Sequence, residues 1–218
     1  MILVPVKNLN GAKQRLSAVL DQPRRTQLAR AMLEDVLEAL ASCPGQPPVA
    51  VVTSDEFAVE AARRFRCEII PDTENGGETA AIEMATAVCA ARGAEFTFVL
   101  PGDIPLLRSE EVAHVFATAP SSGSVLVRAS DQRGTNGALR RPCALFPLRF
   151  GNDSFLPHHA AAQATGLPCV VLELPGIGLD IDRPEDLDAL LAEPTRTRTQ
   201  RLLRAWRTPD HNALRRYA

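Results

Sequence analysis

No stretch of this sequence stays apolar over the roughly 20 residues that crossing a bilayer requires. Its opening, Met1-Ile2-Leu3-Val4-Pro5-Val6-Lys7, has no basic leader ahead of a long apolar run. These absences exclude a membrane-spanning or exported class and predict a soluble, cytoplasmic protein. Cysteine is scarce and scattered: Cys43, Cys67, Cys89, Cys143 and Cys169 are odd in number and contain no Cys-x-x-Cys. They read as reduced thiols of a cytosolic chain. Net charge is nearly absent, formally −2, so nothing in the bulk charge suggests nucleic acid as the partner. Internal repeats and internal linkers are lacking too. What remains is an ordinary globular composition over 218 residues, enough for one large α/β domain or two small ones.

Apolar runs and breakers set out the elements. Ile2–Val6 reads as a first strand, followed by a polar loop, residues 7–15, with Leu16 as its apolar anchor. Leu28, Met32, Val36 and Leu40 recur at helical spacing between Pro23 and Leu40. Val49–Thr53 is a second strand, Ser54-Asp55 can cap a helix running through Arg64, and Cys67–Ile70 is a third strand. The loop Asn75-Gly76-Gly77-Glu78-Thr79 precedes an alanine-rich helix over 80–91, then comes a strand over 96–100 and a helix over 109–118. Strands are expected again at Ser124–Arg128 and Pro168–Leu174, with a helix at Pro157–Thr165. Leu179–Asp182 is expected as a short last strand before a helix opening at Pro184. Residues 134–154 read as loop-rich with short extended pieces. The alternation predicts a mostly parallel sheet with helices on both faces. The domain is placed at 1–193 and a basic carboxyl-terminal tail at 194–218. That tail carries Arg196, Arg198, Arg201, Arg204, Arg207, Arg215 and Arg216 against Asp210 alone. It is expected to be solvated or frayed, the other reading being that Leu202, Leu203 and Trp206 dock a helix on the body or on a partner subunit.

Three groups of residues carry chemistry. Phe96–Leu100 ends on Pro101-Gly102, which leaves Asp103 just past a strand's carboxyl end, where open α/β sheets place ligands. Asp180 and Asp182 alternate around Ile181, so in an extended segment both carboxylates face one way. Capping of the helix at Pro184 accounts for Asp182 but not for Asp180. With Asp103 they form an all-oxygen set suited to a hard cation such as magnesium. Lys13 and Arg15, beyond the first strand, are placed to grip a triphosphate. A Walker-type Gly-x-x-x-x-Gly-Lys-Ser/Thr loop is absent. Gly134-Thr135-Asn136-Gly137 and Phe150-Gly151-Asn152-Asp153-Ser154 are turns whose amides and hydroxyls suit an anion, or ordinary turn chemistry. His158 and His159 are adjacent on a helix and do not face one ligand, which argues against a histidine metal site.

Val4-Pro5-Val6-Lys7, Ala12-Lys13-Gln14-Arg15-Leu16-Ser17, Gly102–Leu107, Gly134-Thr135-Asn136, Phe150-Gly151-x-x-Ser154-Phe155 and Leu179–Leu187 stand in order along the chain. Together they resemble the guanylyltransferases that build the deazaflavin coenzyme F420, over residues 2 to 191. The resemblance implies a single GT-A-like (Rossmann-like) nucleotidyltransferase domain, α/β in class. Its mixed, mostly parallel sheet of about seven strands, one antiparallel, would lie between helices. It also implies transfer of GMP from GTP to the phosphate of 2-phospho-L-lactate, phosphoenolpyruvate or 3-phospho-D-glycerate, with release of pyrophosphate. On that resemblance Asp103, Asp180 and Asp182 hold magnesium, and Lys13, Arg15, Gly77 and Thr79 bind the nucleotide. Thr135, Gly151 and Ser154 bind the acceptor. The chain departs from the family pattern where Gly137 interrupts Gly-Thr-Asn-Ala-Leu, and where Asn75–Glu83 lacks a Leu-Asn pair.

The chemistry expected is electrostatic. A pair of unit charges at about 4 Å costs roughly 4 kcal/mol at an effective dielectric of 20. Magnesium would offset that repulsion between the acceptor phosphate and GTP, and Lys13 and Arg15 would stabilise departing pyrophosphate. Asp103, Lys13 and Arg15 are thus the catalytic candidates, with no covalent intermediate and no general base. GTP and a small phosphorylated acid are the expected partners, neither nucleic acid nor membrane is, and a homodimer is left open. The rivals are a nucleotidyltransferase for a molybdopterin or sugar phosphate, and a GTP-binding sensor.

Overall fold

Hydrophobic alternation in the first strand sorts the whole molecule into two layers. In the computed structural model, which describes residues 1–207 except Pro44, Gln46, Glu74, Asn75 and Asn152, Ile2–Pro5 forms β1. Ile2 and Val4 point into one apolar cluster and Leu3 into another on the opposite face. Two-residue periodicity requires this of a strand buried on both sides. Gln22–Ala41 forms α1, started by Asp21, whose side chain accepts from the Arg24 amide. Leu28, Met32, Val36 and Leu40 are all fully buried beneath it.

Val49–Val52 (β2), Glu56–Arg64 (α2) and Glu68–Ile70 (β3) continue the alternation. Asp55 caps α2 by accepting from Ala58 N and also receives Leu9 N, both at 3.0 Å, which ties the amino-terminal loop down. Glu78–Ala91 (α3), Thr97–Val99 (β4), Ser109–Thr118 (α4) and Gly123–Arg128 (β5) follow. Then come Thr135–Arg141 (β6), Phe155–Ala164 (α5) and Cys169–Leu172 (β7). Pro175–Gly178 (α6), Pro184–Ala192 (α7) and Arg198–Arg207 (α8) complete the described chain. The 7-stranded sheet runs β3-β2-β1-β4-β6-β5-β7. β6 is antiparallel to both neighbours, and every other pairing is parallel.

β6 corrects the loop-rich reading of 134–154. It is a central, buried strand, concealed in the sequence by Gly137 and by Arg140. Arg140 is fully buried because its guanidinium donates to Phe146 O at 2.6 Å, Thr86 Oγ1 at 2.8 Å and Glu83 Oε1 at 3.2 Å. Gly137 leaves room for its neighbours: a Cβ there would stand 2.9 Å from Val127 Cγ2 and 3.3 Å from Phe98.

Three further expectations change. Leu179–Asp182 joins no strand ladder; it runs outside the sheet, with Ile181 N donating to Asp103 O at 3.1 Å. Asp182 does not cap α7. Asp186 reaches back instead, accepting from Asp182 N at 2.9 Å and Arg183 N at 2.6 Å. For residues 198–207 the docked helix replaces the frayed tail. Asp35 of α1 accepts from Arg198 N, Thr199 N and Thr199 Oγ1, and Gln200 donates to Leu190 O and Glu193 O. Leu203 is buried and Trp206 packs at the edge of the same layer. Asp210, Arg215 and Arg216 lie outside the described residues.

Candidate active site

Because β1 and β4 are parallel neighbours, their carboxyl ends leave the sheet at one edge. The loop after β1 carries Lys13 and Arg15, and the loop after β4 carries Asp103. Lys13 adopts a left-handed backbone, φ 57° and ψ 44°, that few non-glycine residues take and that turns its side chain inward. Its ammonium bonds Asp103 Oδ2 and lies 2.8 Å from Asp182 Oδ1. Arg15 Nη1 reaches Asp182 Oδ2 at 2.9 Å from an exposed position. The backbone bond from Ile181 to Asp103 brings the acidic segment to the same edge.

Asp180 is held differently. Asn136 Nδ2, on β6, donates to Asp180 Oδ1 at 3.0 Å and is shared with Gly178 O and Ile177 O. Burial and then the charge of Asp103 push the Asp180 carboxyl up to about 6, against the Asn136 hydrogen bond. Burial acts to raise Asp182 as well, but Lys13 and then Arg15 outweigh it and hold that carboxyl below its usual range. For Lys13, burial is outweighed by Asp103 and Asp182, which hold the ammonium above its ordinary value. Asp103 Oδ1 is buried and has no hydrogen-bond partner.

The sequence-predicted acids therefore meet, but around a lysine. Among the described residues no group of three His, Cys, Asp or Glu side chains is placed to hold a metal ion. Two cavities meet here. One, of about 660 Å³, includes Lys7, Asn8, Gly11 and Lys13, and the other, of about 590 Å³, includes Thr135, Gly151, Ser154 and Asp180. Arg15, Glu78, Asp103 and Asp182 line both and so stand at the junction.

On the second side, Thr135 and Ser154 are buried and joined, Thr135 N donating to Ser154 Oγ at 3.0 Å. Gly151, at φ 138°, is exposed and has open space around its α-carbon. The loop leading to it is pinned by three donated amides: Leu148 N to Glu83 at 3.0 Å, Arg149 N to His158 at 2.8 Å and Phe150 N to Thr79 Oγ1 at 3.0 Å. Thr79, expected at the nucleotide, thus uses its hydroxyl to hold this loop. Gly77 precedes α3 at φ 103°, and a Cβ there would lie 3.8 Å from Lys7 Nζ. Asn75 and Asn152 lie outside the described residues.

Sequence reasoning missed Lys7, Glu78, Asn136 and His158. For the first a signal existed: Lys7 and Lys13 are the two lysines of the chain, and both fall in the loop after β1. Asn136 and His158 act through partners distant in sequence and left no local signal.

The chain matches the family described as Guanylyl transferase CofC like over residues 1–211. It belongs to that family. A phosphoenolpyruvate guanylyltransferase of Rubrobacter xylanophilus is 38% identical over 191 residues, 87% of this chain and 92% of that one. A 3-phospho-D-glycerate guanylyltransferase of Phenylobacterium zucineum is 33% identical over 204 residues, 92% and 94% of the two chains. A 2-phospho-L-lactate guanylyltransferase of Methanothermobacter thermautotrophicus is 33% identical over 207 residues, 94% and 90%. Among solved structures, a Desulfovibrio desulfuricans protein described provisionally as a nucleotide-diphospho-sugar transferase aligns with a TM-score of 0.76. It is 20% identical and covers 99% of this chain and 96% of its own. A 4-diphosphocytidyl-2C-methyl-D-erythritol synthase aligns at 0.59 and 16% identity, over 93% and 97%. At such identities these two speak for the GT-A-like nucleotidyltransferase fold alone. Guanylyltransferase membership does not favour the sensor or the molybdopterin or sugar-phosphate rivals. No described helix is long and apolar enough to cross a membrane.

Proposed function

We propose that this CofC-like chain transfers GMP from GTP onto the phosphate of a small phosphorylated three-carbon acid, releasing pyrophosphate, in coenzyme F420 synthesis. The acid is phosphoenolpyruvate, 2-phospho-L-lactate or 3-phospho-D-glycerate, the substrates in its relatives' names. The carrying observation is the junction: Asp103, Asp182, Arg15 and Glu78 line two adjoining cavities. Lys7 and Lys13 line the one assigned to the triphosphate. Thr135, Gly151 and Ser154 line the one assigned to the acid.

The donor set suits a hard cation in its chemistry, though its three carboxylates do not gather around one point while Lys13 stands between Asp103 and Asp182. It is all oxygen, Asp103 Oδ1 is a buried acceptor with nothing bonded to it, and the acids already draw in one cation, the Lys13 ammonium. Asp103, Asp180 and Asp182 would hold magnesium, which when bound would neutralise charge on the phosphates. Lys13 and Arg15 supply the fixed positive charge that the reaction's products need, since pyrophosphate carries away the negative charge that GTP brought. The Lys13 ammonium has three donors and gives two to carboxylates, which leaves one for a phosphate. Thr135 and Ser154 offer hydroxyls to the acid's anionic oxygens, and Asn136 holds Asp180 facing the junction. The acceptor phosphate is anionic near neutral pH, so no side chain has to remove a proton from it.

The test is pyrophosphate release from GTP and magnesium with each acid separately, the downstream enzyme being present to consume product. Turnover with one acid names the substrate. Silence with all three, despite GTP binding, overturns this reading.

A further inference from the structure

His158 is buried at 1% exposure on α5, one helical turn after Ser154 and on the same face, yet the transfer just described gives it no part. Its Nε2 accepts the Arg149 backbone N–H at 2.8 Å. An amide nitrogen only donates, so Nε2 carries the lone pair and the neutral ring bears its proton on Nδ1. Nδ1 lies 3.0 Å from Thr135 Oγ1, and the ring therefore donates to that hydroxyl oxygen. The hydrogen of the Thr135 hydroxyl must then point elsewhere. The same holds for Ser154, whose Oγ is occupied as an acceptor by Thr135 N–H. Among the described residues neither hydroxyl finds an acceptor for its own hydrogen, and both residues line the cavity that also holds Gly151, Asp103 and Asp180.

We propose that His158 is a positioning residue that fixes the hydroxyl of Thr135 as a hydrogen-bond donor toward the anionic oxygens of the phosphorylated acid, beside the Ser154 hydroxyl that the Thr135 amide orients in the same way. The role rests on the reading of this cavity as the acceptor side. It differs from mere core packing because the Arg149 amide, by occupying Nε2, dictates which way the relay runs. Burial and the Arg140 charge, which hold the ring well below the ordinary histidine value, keep it in the neutral form that the relay requires.

Nitrogen-15 spectra of histidine-labelled protein at neutral pH, with His158 assigned by its loss in His158→Phe, test the relay without reference to activity. The Nδ1-protonated tautomer is expected; the Nε2-protonated tautomer or an imidazolium overturns the proposal. Kinetics test the role. His158→Phe should raise KM for the acid about tenfold, with KM for GTP within about twofold of wild type. Thr135→Val should do the same, and the double variant should be no worse than Thr135→Val, because His158 acts through that hydroxyl. His158→Asn keeps an N–H near the Nδ1 position and should restore much of the loss, including in the event that His158→Phe does not fold. Equal rises in both KM values, or additive effects in the double variant, overturn the role. A wild type that turns over no acid instead overturns the proposed function; an active wild type with an unaltered His158→Phe overturns His158 alone.

Discussion

Lys13 Nζ lies 2.8 Å from Asp182 Oδ1 while bonded to Asp103, so a single ammonium ties together segments 90 and 169 residues away along the chain. It pairs with both Asp103 and Asp182 at the junction of the two cavities. The same atom that organises the free site keeps a third N–H with which to grip a phosphate.

Lys13→Met should separate those two roles. With the ammonium gone, Asp103 loses its partner and Asp182 keeps only Arg15, and magnesium titrated calorimetrically into the free protein should bind more tightly than to wild type. Turnover should nevertheless fall by about 100-fold or more, since the triphosphate loses a preorganised charge. Both are read on one preparation.

Asp103→Asn should reduce turnover by about 1,000-fold or more at saturating magnesium. The fold should persist, because the hydrogen bond from Ile181 uses the backbone carbonyl of residue 103, not its side chain. A melting temperature within about 5 °C of wild type is expected, alongside lost pyrophosphate release.

His158 makes stability depend on pH. Burial, then the charge of Arg140, lowers its value to about 4, so the folded protein binds this proton less readily than the unfolded chain. The stabilisation is therefore fully present above the ordinary histidine value near 6.5 and is lost as pH falls toward 4. Between pH 7 and pH 5 this residue alone should remove about 2 kcal/mol of unfolding free energy. Urea titrations at the two pH values should show a smaller drop for His158→Phe than for wild type.

Gly137→Ala should destabilise by about 1–3 kcal/mol, because the new methyl would sit 2.9 Å from Val127 Cγ2 in the middle of the sheet. Shortening the neighbour should relieve the clash. Val127→Ala combined with Gly137→Ala should be less destabilised than the two single effects summed, as measured by denaturant unfolding.

Much of the fold was legible because apolar runs, caps and breakers are local. Ile2–Pro5, Val49–Val52 and Thr97–Val99 are strands buried on both faces, and such strands read as continuous apolar runs. β6 was not legible, since Arg140 counts as a surface residue until Glu83, Thr86 and the Phe146 carbonyl surround it. The last acidic pair was read correctly as one-sided but wrongly as a strand. Its extended form comes from a single bond to the Asp103 carbonyl, and no pattern within residues 179–182 encodes that bond.

The sequence by itself determined the order of β1 to β5 and the helices between them, the placement of Asp103, Lys13 and Arg15 beyond strand ends, and membership of the family. All of these follow from residue type and short-range spacing. Only the tertiary structure decided that Lys13 stands between the acids and that Thr79 holds a loop. It also decided that His158 sets the polarity of Thr135 and that residues 198–207 form a docked helix. Each of these depends on which groups remain to satisfy a buried donor, acceptor or charge once distant segments have packed, and the residue letters alone do not name those partners.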